Sequence, residues 1–286
     1  MEILWLGSPD CHDANRTGAK AANLSRLMAS YRIPPGFCVS AEAHARWAEM
    51  AGGIPPALYN ALASAYHRLA EICGVANPSV AVRSSAVDED EARRSFAGQH
   101  ETYLNVVGID AVAAAVVRCW ASVRTARAVA YRRRQGLSDE GARLAVLVQQ
   151  LVPADASAIV FSANPVTGSR DEVVINAVWG LGESIASGTV TPDTYVVCKS
   201  DLAIASRIVA EKGRATVLAY TGSHEVPVPR RRQRVPSIDD GQVVELARLG
   251  VALEFTMGWP VDIECSYRGG ELYVVQCRPI TTLGAL

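Results

Sequence analysis

The sequence contains few lysines and no paired cysteine motif. Lysine occurs only at Lys20, Lys199 and Lys212, and arginine supplies the remaining positive charges. The seven cysteines are scattered along the chain, odd in number, and none forms a Cys-x-x-Cys motif. The number and spacing of the cysteines argue against a disulfide framework and against a zinc site, and they favour a reducing, cytoplasmic location.

Long apolar runs and an excess of positive charge are also missing. The best candidate for a membrane span, residues 144–161, is interrupted by Gln149, Gln150, Pro153 and Asp155. No basic segment followed by an apolar run begins the chain, so no secretory signal is predicted. With 28 basic and 29 acidic residues, the net charge of −1 argues against nucleic acid as a partner.

The composition that remains is that of a globular protein with a large core. The 286 residues are 49% hydrophobic and 20% charged. Apolar spacing predicts helices over residues 17–29, 56–73, 109–134 and 239–257. Residues 33–40 predict a rigid proline turn followed by a short strand. Short apolar or alternating runs predict strands over 79–86, 144–152, 156–163 and 171–180, and a hairpin of 261–267 with 271–279. The Pro/Arg-rich segment 226–237 is predicted to be an exposed, poorly ordered loop.

This order, helical first and sheet-rich later, predicts an α+β fold with mixed or antiparallel sheets. We expect two lobes, approximately residues 1–143 and 144–286.

Two short motifs in the first half could bind phosphate. Gly18, Ala19 and Lys20 form a turn that enters a helix, where backbone N–H groups and the helix dipole favour an anion and Lys20 adds a full charge. On their own, the three residues fit more simply a helix-start glycine with an exposed lysine. Arg83 ends a strand and precedes two serines, an arrangement that suits either a phosphate clamp or an ordinary surface salt bridge.

Two glycine-containing segments could approach a ligand closely. The loop around Gly98, with Thr102 four residues later, could fold over a polyphosphate through its amides, although a plain turn explains it as well. Gly180, Gly182 and Glu183 follow a strand and permit close backbone approach, or they form only a tight connection.

The C-terminal hairpin carries the most specific pattern. Gln276 and Arg278 share one face of their strand, and a small adjustment of register brings Glu264 beside Gln276. A carboxylate and an amide oxygen are ligands that suit Mg²⁺, and Arg278 could neutralise a phosphate that the metal bridges. The alternative is that these polar side chains simply face solvent. None of the five histidines has a convincing nucleophile context.

Taken together, these segments resemble the N-terminal ATP-binding domain shared by phosphoenolpyruvate synthase, pyruvate phosphate dikinase and rifampin phosphotransferase. The matching segments run in order over nearly the whole chain: 18–27, 33–40, 80–90, 95–106, 147–168, 175–197 and 262–281.

The resemblance implies a variant of the ATP-grasp fold, in which two lobes hold ATP between them, with ATP and Mg²⁺ as cofactors. It assigns Lys20 and Arg83 to the phosphates, Gly98 and Thr102 to a loop over the triphosphate, Gln149 to the adenine side, and Glu264, Gln276 and Arg278 to Mg²⁺ and phosphates. Glu183 is a weaker candidate for nucleotide binding. Cys265 departs from the family pattern, in which many relatives carry an aromatic residue at this position.

Members of this family continue into a domain with a catalytic histidine, which this chain does not contain. We therefore expect the ATP-binding component of a dikinase-like phosphotransferase, which presents ATP phosphates to a histidine on a separate polypeptide and forms AMP. The alternatives are a free-standing kinase that phosphorylates a small molecule, an ATP-binding protein without turnover, and a segment cut from a longer enzyme.

Overall fold

The computed structural model describes residues 2–48, 53–87, 101–126, 128–130 and 143–284. Their contacts divide the chain into two compact units, Met1–Leu151 and Val152–Leu286. Each unit has its own main β-sheet, so the predicted α+β class is confirmed. In the described ranges, no helix combines the length and the apolar character that crossing a membrane requires.

In the described part of the first unit, five strands and four α-helices have defined bounds, and a short 3₁₀ helix at Pro9–His12 lies between the first strand and the first α-helix. The strands are β1 (Ile3–Trp5), β2 (Gly36–Val39), β3 (Val80–Ala86), β4 (Thr102–Val106) and β5 (Leu144–Gln150), and the helices are α1 (Ala14–Leu27), α2 (Ala41–Ala48), α3 (Pro56–Cys73) and α4 (Ile109–Ser122). The helix predicted over 56–73 is therefore confirmed at both ends. Strand β5 packs within this unit, antiparallel to β2 and β3.

The sheet of the first unit, in the order β1-β2-β5-β3-β4, is covered on both faces. Val82 and Val148 point into a core with apolar residues of α3 and α4, among them Leu69 and Trp120. The intervening residues of β3 face the other way, towards α1, where Ser85 contacts Gly18. Burial on both faces explains why β3 and β5 read as nearly continuous apolar runs.

The helix predicted over 109–134 is interrupted: α4 ends at Ser122, and helical residues occur again at 126 and at 128–130. The Ser122 hydroxyl donates to the carbonyl of Cys119 (2.6 Å), and the Thr125 hydroxyl donates to that of Ser122 (2.9 Å). Thr125 also accepts a hydrogen bond from the amide of Ala128. These side chains compete with helical hydrogen bonds and produce a break that apolar periodicity does not reveal. The arginines at 132–134 lie outside the described residues.

The second unit contains eight strands and three short or medium helices. The strands are β6 (Ala156–Phe161), β7 (Glu172–Trp179), β8 (Asp193–Cys198), β9 (Ile204–Ile208), β10 (Arg214–Leu218), β11 (Ser223–Pro227), β12 (Val261–Arg268) and β13 (Glu271–Pro279). The helices are α5 (Glu183–Ala186), α6 (Arg230–Gln233) and α7 (Asp240–Met257), and a 3₁₀ helix follows at Thr281–Gly284. Six strands form one antiparallel sheet in the order β13-β12-β6-β7-β8-β9, and β10 pairs with β11.

Helix α7 covers one face of the six-stranded sheet. It begins with a capping box, in which the side chains of Asp239 and Gln242 each accept a hydrogen bond from the backbone amide of the other residue. Gly250 lies against the sheet so closely that an added Cβ would stand 3.2 Å from the Val160 side chain. Because α7 occupies this face, the polar residues of β12 and β13 described below lie on the opposite face.

The prediction of an exposed, poorly ordered loop over 226–237 is right about exposure, since most of these residues are exposed, but the segment is not one unbroken loop. The segment begins in β11 and forms α6, and both Val228 and Ser237 are buried. A fully buried ion pair between Lys212 and Asp193 anchors it, since Asp193 also accepts hydrogen bonds from the amide and hydroxyl of Ser237, each at 2.8 Å. This contact joins residues far apart in sequence, so the local composition could not indicate it.

Candidate functional site

In the first unit, two motifs that are far apart in sequence meet at Gly18 and Ser85. Gly18 adopts φ 71° and ψ 163°, a conformation that glycine alone adopts readily. A Cβ at this position would lie 2.2 Å from the Ser85 carbonyl oxygen. The Ser85 hydroxyl accepts a hydrogen bond from the amide of Ala21. The glycine interrupts the helical geometry within α1 and lets α1 rest at this kink directly on the end of β3.

This contact brings the two predicted phosphate-binding cations to the same end of β3. The Lys20 ammonium donates a hydrogen bond to the carbonyl of Ser84 (3.2 Å), the residue after Arg83. Arg83 is paired in register with Thr102, the first residue of β4. Lys20, Arg83 and Thr102, which were selected separately from the sequence, thus belong to one cluster. Gly98 lies outside the described residues.

Gln149 occupies a buried position on β5, two residues from Leu147, which pairs with Arg83 of β3. It is 2% exposed and lies between Gly36 of β2 and Ala81 of β3. Its side-chain amide nitrogen donates to the carbonyl of Pro34 (3.1 Å). One role of Gln149 is therefore structural, because it fixes the proline turn before β2.

In the second unit, the hairpin places Glu264 directly opposite Gln276. The two-residue turn at Gly269 and Gly270, both with positive φ, would by simple counting pair Glu264 with residue 275. A β-bulge between Glu264 and Cys265 shifts the register by one residue. The predicted adjustment of register is confirmed, and the carboxylate and the amide project from the same face of the sheet.

Asp262 is a site residue that sequence reasoning missed. It lies directly opposite Arg278, and its Oδ2 atom accepts a hydrogen bond from Nε of that arginine (2.9 Å) and lies 2.9 Å from an Nη atom in an ion pair. Burial raises the pKa of Asp262 to about 6, the positive charge of Arg278 opposes this shift, and Glu264 adds to it. The Asp-x-Glu spacing was the available signal, because alternate residues of a strand share a face.

The polar oxygens on this face suit a hard divalent cation. Gln276 is 2% exposed, and the Oδ1 atom of Asp262 is buried without a hydrogen-bond partner in the described ranges. No cluster of three or more His, Cys, Asp or Glu that could hold a metal occurs among the described residues. Mg²⁺ commonly takes one or two carboxylates and completes its shell with water and substrate phosphates. Glu264, Gln276 and Asp262 therefore fit Mg²⁺ that is bound together with a phosphate ligand.

The side chain of Glu183 contacts the β10–β11 hairpin of the second unit. Glu183 begins α5, and its carboxylate accepts a hydrogen bond from the Ser223 hydroxyl (2.5 Å) at the start of β11. Gly182, just before it, lies against Ser157, because a Cβ added to this glycine would be 3.3 Å from the Cβ of Ser157. This segment is held by the β10–β11 hairpin.

Comparison with known proteins gives one family match. The model of the family described as "Pyruvate phosphate dikinase, AMP/ATP-binding domain" matches residues 48–285. The α+β architecture of two sheet-containing units agrees with the ATP-grasp-like fold that the sequence resemblance implies.

Three similar proteins illustrate the match. "Probable phosphoenolpyruvate synthase" of Methanocaldococcus jannaschii is 36% identical over 98% of this chain and 27% of that protein. Phosphoenolpyruvate synthase of Pyrococcus furiosus is 34% identical over 98% of this chain and 44% of its own length. Rifampicin phosphotransferase of Streptomyces sviceus is 38% identical over 93% of this chain and 34% of its own length. The chain thus spans less than half of these relatives.

Proposed function

Because this chain belongs to the pyruvate phosphate dikinase AMP/ATP-binding domain family, we propose that it binds Mg-ATP and provides its phosphates for transfer. The observation that carries this proposal is the pairing of Glu264 with Gln276 beside the Asp262–Arg278 ion pair. This arrangement combines oxygen ligands for a hard cation with a guanidinium that is suited to phosphate.

In this proposal, the first unit supplies the positive charge for the phosphates through Lys20 and Arg83. Gly98 and Thr102, the latter at the start of β4 opposite Arg83, would contact the triphosphate, and Gln149 contributes on the adenine side. Glu183 remains a weaker candidate, because its carboxylate is already bonded to Ser223.

The residues of the second unit act on the metal and the phosphates. Glu264 and Gln276 would hold Mg²⁺, with Asp262 close by, and the ion would neutralise charge on the phosphate oxygens. Arg278 binds phosphate oxygens, and Asp262 orients its guanidinium through the hydrogen bond from Nε and the ion pair. Because the guanidinium is oriented in advance, less side-chain entropy is lost when phosphate binds.

We infer that the phosphoryl acceptor is a histidine on a separate polypeptide and that AMP is the nucleotide product. The family match, to a domain described as binding AMP and ATP, supports this inference. A cytoplasmic location fits seven cysteines that all carry free thiols.

The test is to incubate the chain with ATP and Mg²⁺, with and without a phosphohistidine-domain polypeptide from a related synthase, and to identify the nucleotide product. We expect AMP only when that polypeptide is present. ADP formed with a small-molecule acceptor and no second polypeptide would instead show a free-standing kinase. The absence of any product under both conditions would contradict the phosphotransferase assignment.

Variants of the C-terminal hairpin test which residues turnover requires. Glu264→Ala removes the proposed metal ligand and should abolish turnover. Glu271→Ala is a matched control, because Glu271 lies exposed at the far end of the same hairpin. Wild-type turnover in Glu264→Ala would exclude the proposed metal site.

A further inference from the structure

A cavity of about 400 Å³ lies within the second unit, where β6 begins and β7 and β12 end. Its wall is largely apolar, and it includes Pro153, Leu181, Val217, Val226, Pro227 and Pro229. None of the described residues that we assign to Mg-ATP lines it. The cavity is therefore a second candidate binding site, with its own set of residues.

One wall of the cavity is built by a close backbone contact. Gly180 adopts φ 74°, and a Cβ at this position would lie 2.2 Å from the Thr216 carbonyl oxygen. The same oxygen accepts a hydrogen bond from the amide of Leu181 (2.8 Å). This contact holds β10, and with it the β10–β11 hairpin, against the end of β7.

The opposite wall is anchored from within the unit. The backbone amide of Lys212, whose side chain forms the buried ion pair with Asp193, donates to the carbonyl of Gln233 at the end of α6 (2.9 Å). The Gln233 side chain donates in turn to the carbonyl of Val228 (2.9 Å). Both walls are thus fixed by internal bonds, so the cavity exists before any ligand binds.

A cation without an acidic partner borders this apolar space. The Arg232 guanidinium lies 4.0 Å from the centre of the Trp179 ring, and the Arg232 carbonyl accepts from the indole N–H. In the described ranges Arg232 forms no ion pair, whereas Arg268 on the same cavity pairs with Asp155 at 2.7 Å. Stacking on an aromatic ring leaves the guanidinium N–H groups directed outward for an anion.

We propose that this cavity binds a small organic anion, with a flat apolar body between the proline, leucine and valine walls and a carboxylate or phosphate group on Arg232. The volume lies in the range of small-molecule sites, which combine apolar walls with a few polar groups. This inference does not depend on turnover of ATP.

The test uses 2-naphthoate and 2-naphthyl phosphate as probes and neutral 2-naphthamide as the uncharged control. Binding is followed by NMR through the indole N–H signal of Trp179, which is assigned by its loss in Trp179→Phe. We expect saturable shifts with one or both anions and about tenfold weaker binding of the amide, as loss of one charge-assisted hydrogen bond predicts. The anion that binds with the higher affinity identifies the preferred head group, carboxylate or phosphate.

Two variants separate a specific site from a general attraction to positive charge. Arg232→Gln should weaken anion binding about tenfold, whereas Arg231→Gln should leave it unchanged, since Arg231 is exposed and does not line the cavity.

Equal binding by wild type and Arg232→Gln, or no saturable binding of either anion, would overturn the proposal. Displacement of the probe by Mg-ATP would also overturn it, because the cavity would then belong to the nucleotide site. Binding that persists in Glu264→Ala supports a separate site even if the Mg-ATP assignment fails.

Discussion

The two units hold their candidate residues by different physical means. In the first unit, Lys20 and Arg83 come together because an uncharged backbone contact, Gly18 on Ser85, leaves no room for a Cβ. In the second, ion pairs fix the arrangement: Asp262 orients Arg278, and Asp193 anchors Lys212. The first unit should therefore be sensitive to added volume, and the second to the loss of charge.

Loss of the buried ion pair should have the largest effect on stability. Lys212→Met leaves the buried Asp193 carboxylate without its counter-ion, which we expect to cost about 4 kcal/mol in the free energy of unfolding. Lys199→Met is the matched control, because the Lys199–Glu254 pair is partly exposed and should contribute about 1 kcal/mol or less. Urea unfolding measures both values, and similar losses for the two lysines would contradict the assigned role of burial.

Added volume at Gly18 should destabilise the first unit by about 3 kcal/mol. Gly18→Ala forces a positive φ on a residue with a Cβ and also creates a clash with the Ser85 carbonyl. Gly74→Ala separates these causes, because Gly74 has φ 65° but no atom within 4 Å of the added Cβ. Hydrogen exchange should show faster opening of β3 and β5 in Gly18→Ala, with β6 to β8 unchanged. Equal effects at both glycines would refute the steric explanation.

A pH dependence of the first unit is expected from His44. Burial lowers the pKa of this histidine to about 4, and its Nδ1 accepts a hydrogen bond from the amide of Leu144 (3.2 Å). The unfolded chain takes up the proton near pH 6.5, so stability is complete above that pH and falls between about pH 6.5 and 4, by up to about 3 kcal/mol. His44→Asn should remove this dependence, as measured by urea unfolding at several pH values. An unchanged pH profile in that variant would exclude His44 as its source.

Among the variants of candidate site residues, Asp262→Asn should have only a small effect on stability. The variant keeps the shape of the side chain but removes the charge that pairs with a partly exposed Arg278, so we expect a loss of about 1 kcal/mol. The effect on Mg-ATP affinity should be larger than this, because Arg278 loses its orientation. Affinity measured by calorimetry, compared with stability from urea unfolding, tests this point, and an unchanged affinity would remove Asp262 from the site.

The parts of the fold that sequence alone predicted are those determined by local pattern. Helix Pro56–Cys73 and the strands of the C-terminal hairpin follow from periodicity and from the Gly269–Gly270 turn. The structured course of residues 226–237 could not be predicted, since it depends on the distant pair of Asp193 and Lys212. The early end of α4 depends on hydroxyl groups that bond to the backbone, which an apolar pattern does not record.

The residues of the candidate site also differ in whether local sequence or only the tertiary structure shows that they lie close together. Glu264, Gln276 and Arg278 lie on adjacent strands of one hairpin, so their proximity could be predicted, apart from the bulge that sets the final register. The contact of Gly18 with Ser85 required the tertiary structure, because nothing local to either motif indicates the other. Asp262 was missed because its role depends on the residue directly opposite it.

The most direct test of the account is calorimetric titration of ATP into the wild-type chain and Glu264→Ala, each with and without Mg²⁺. We predict that Mg²⁺ strengthens ATP binding to the wild type and that this enhancement disappears in Glu264→Ala. An equal enhancement by Mg²⁺ in both proteins would show that the hairpin does not bind the metal and would contradict the central claim.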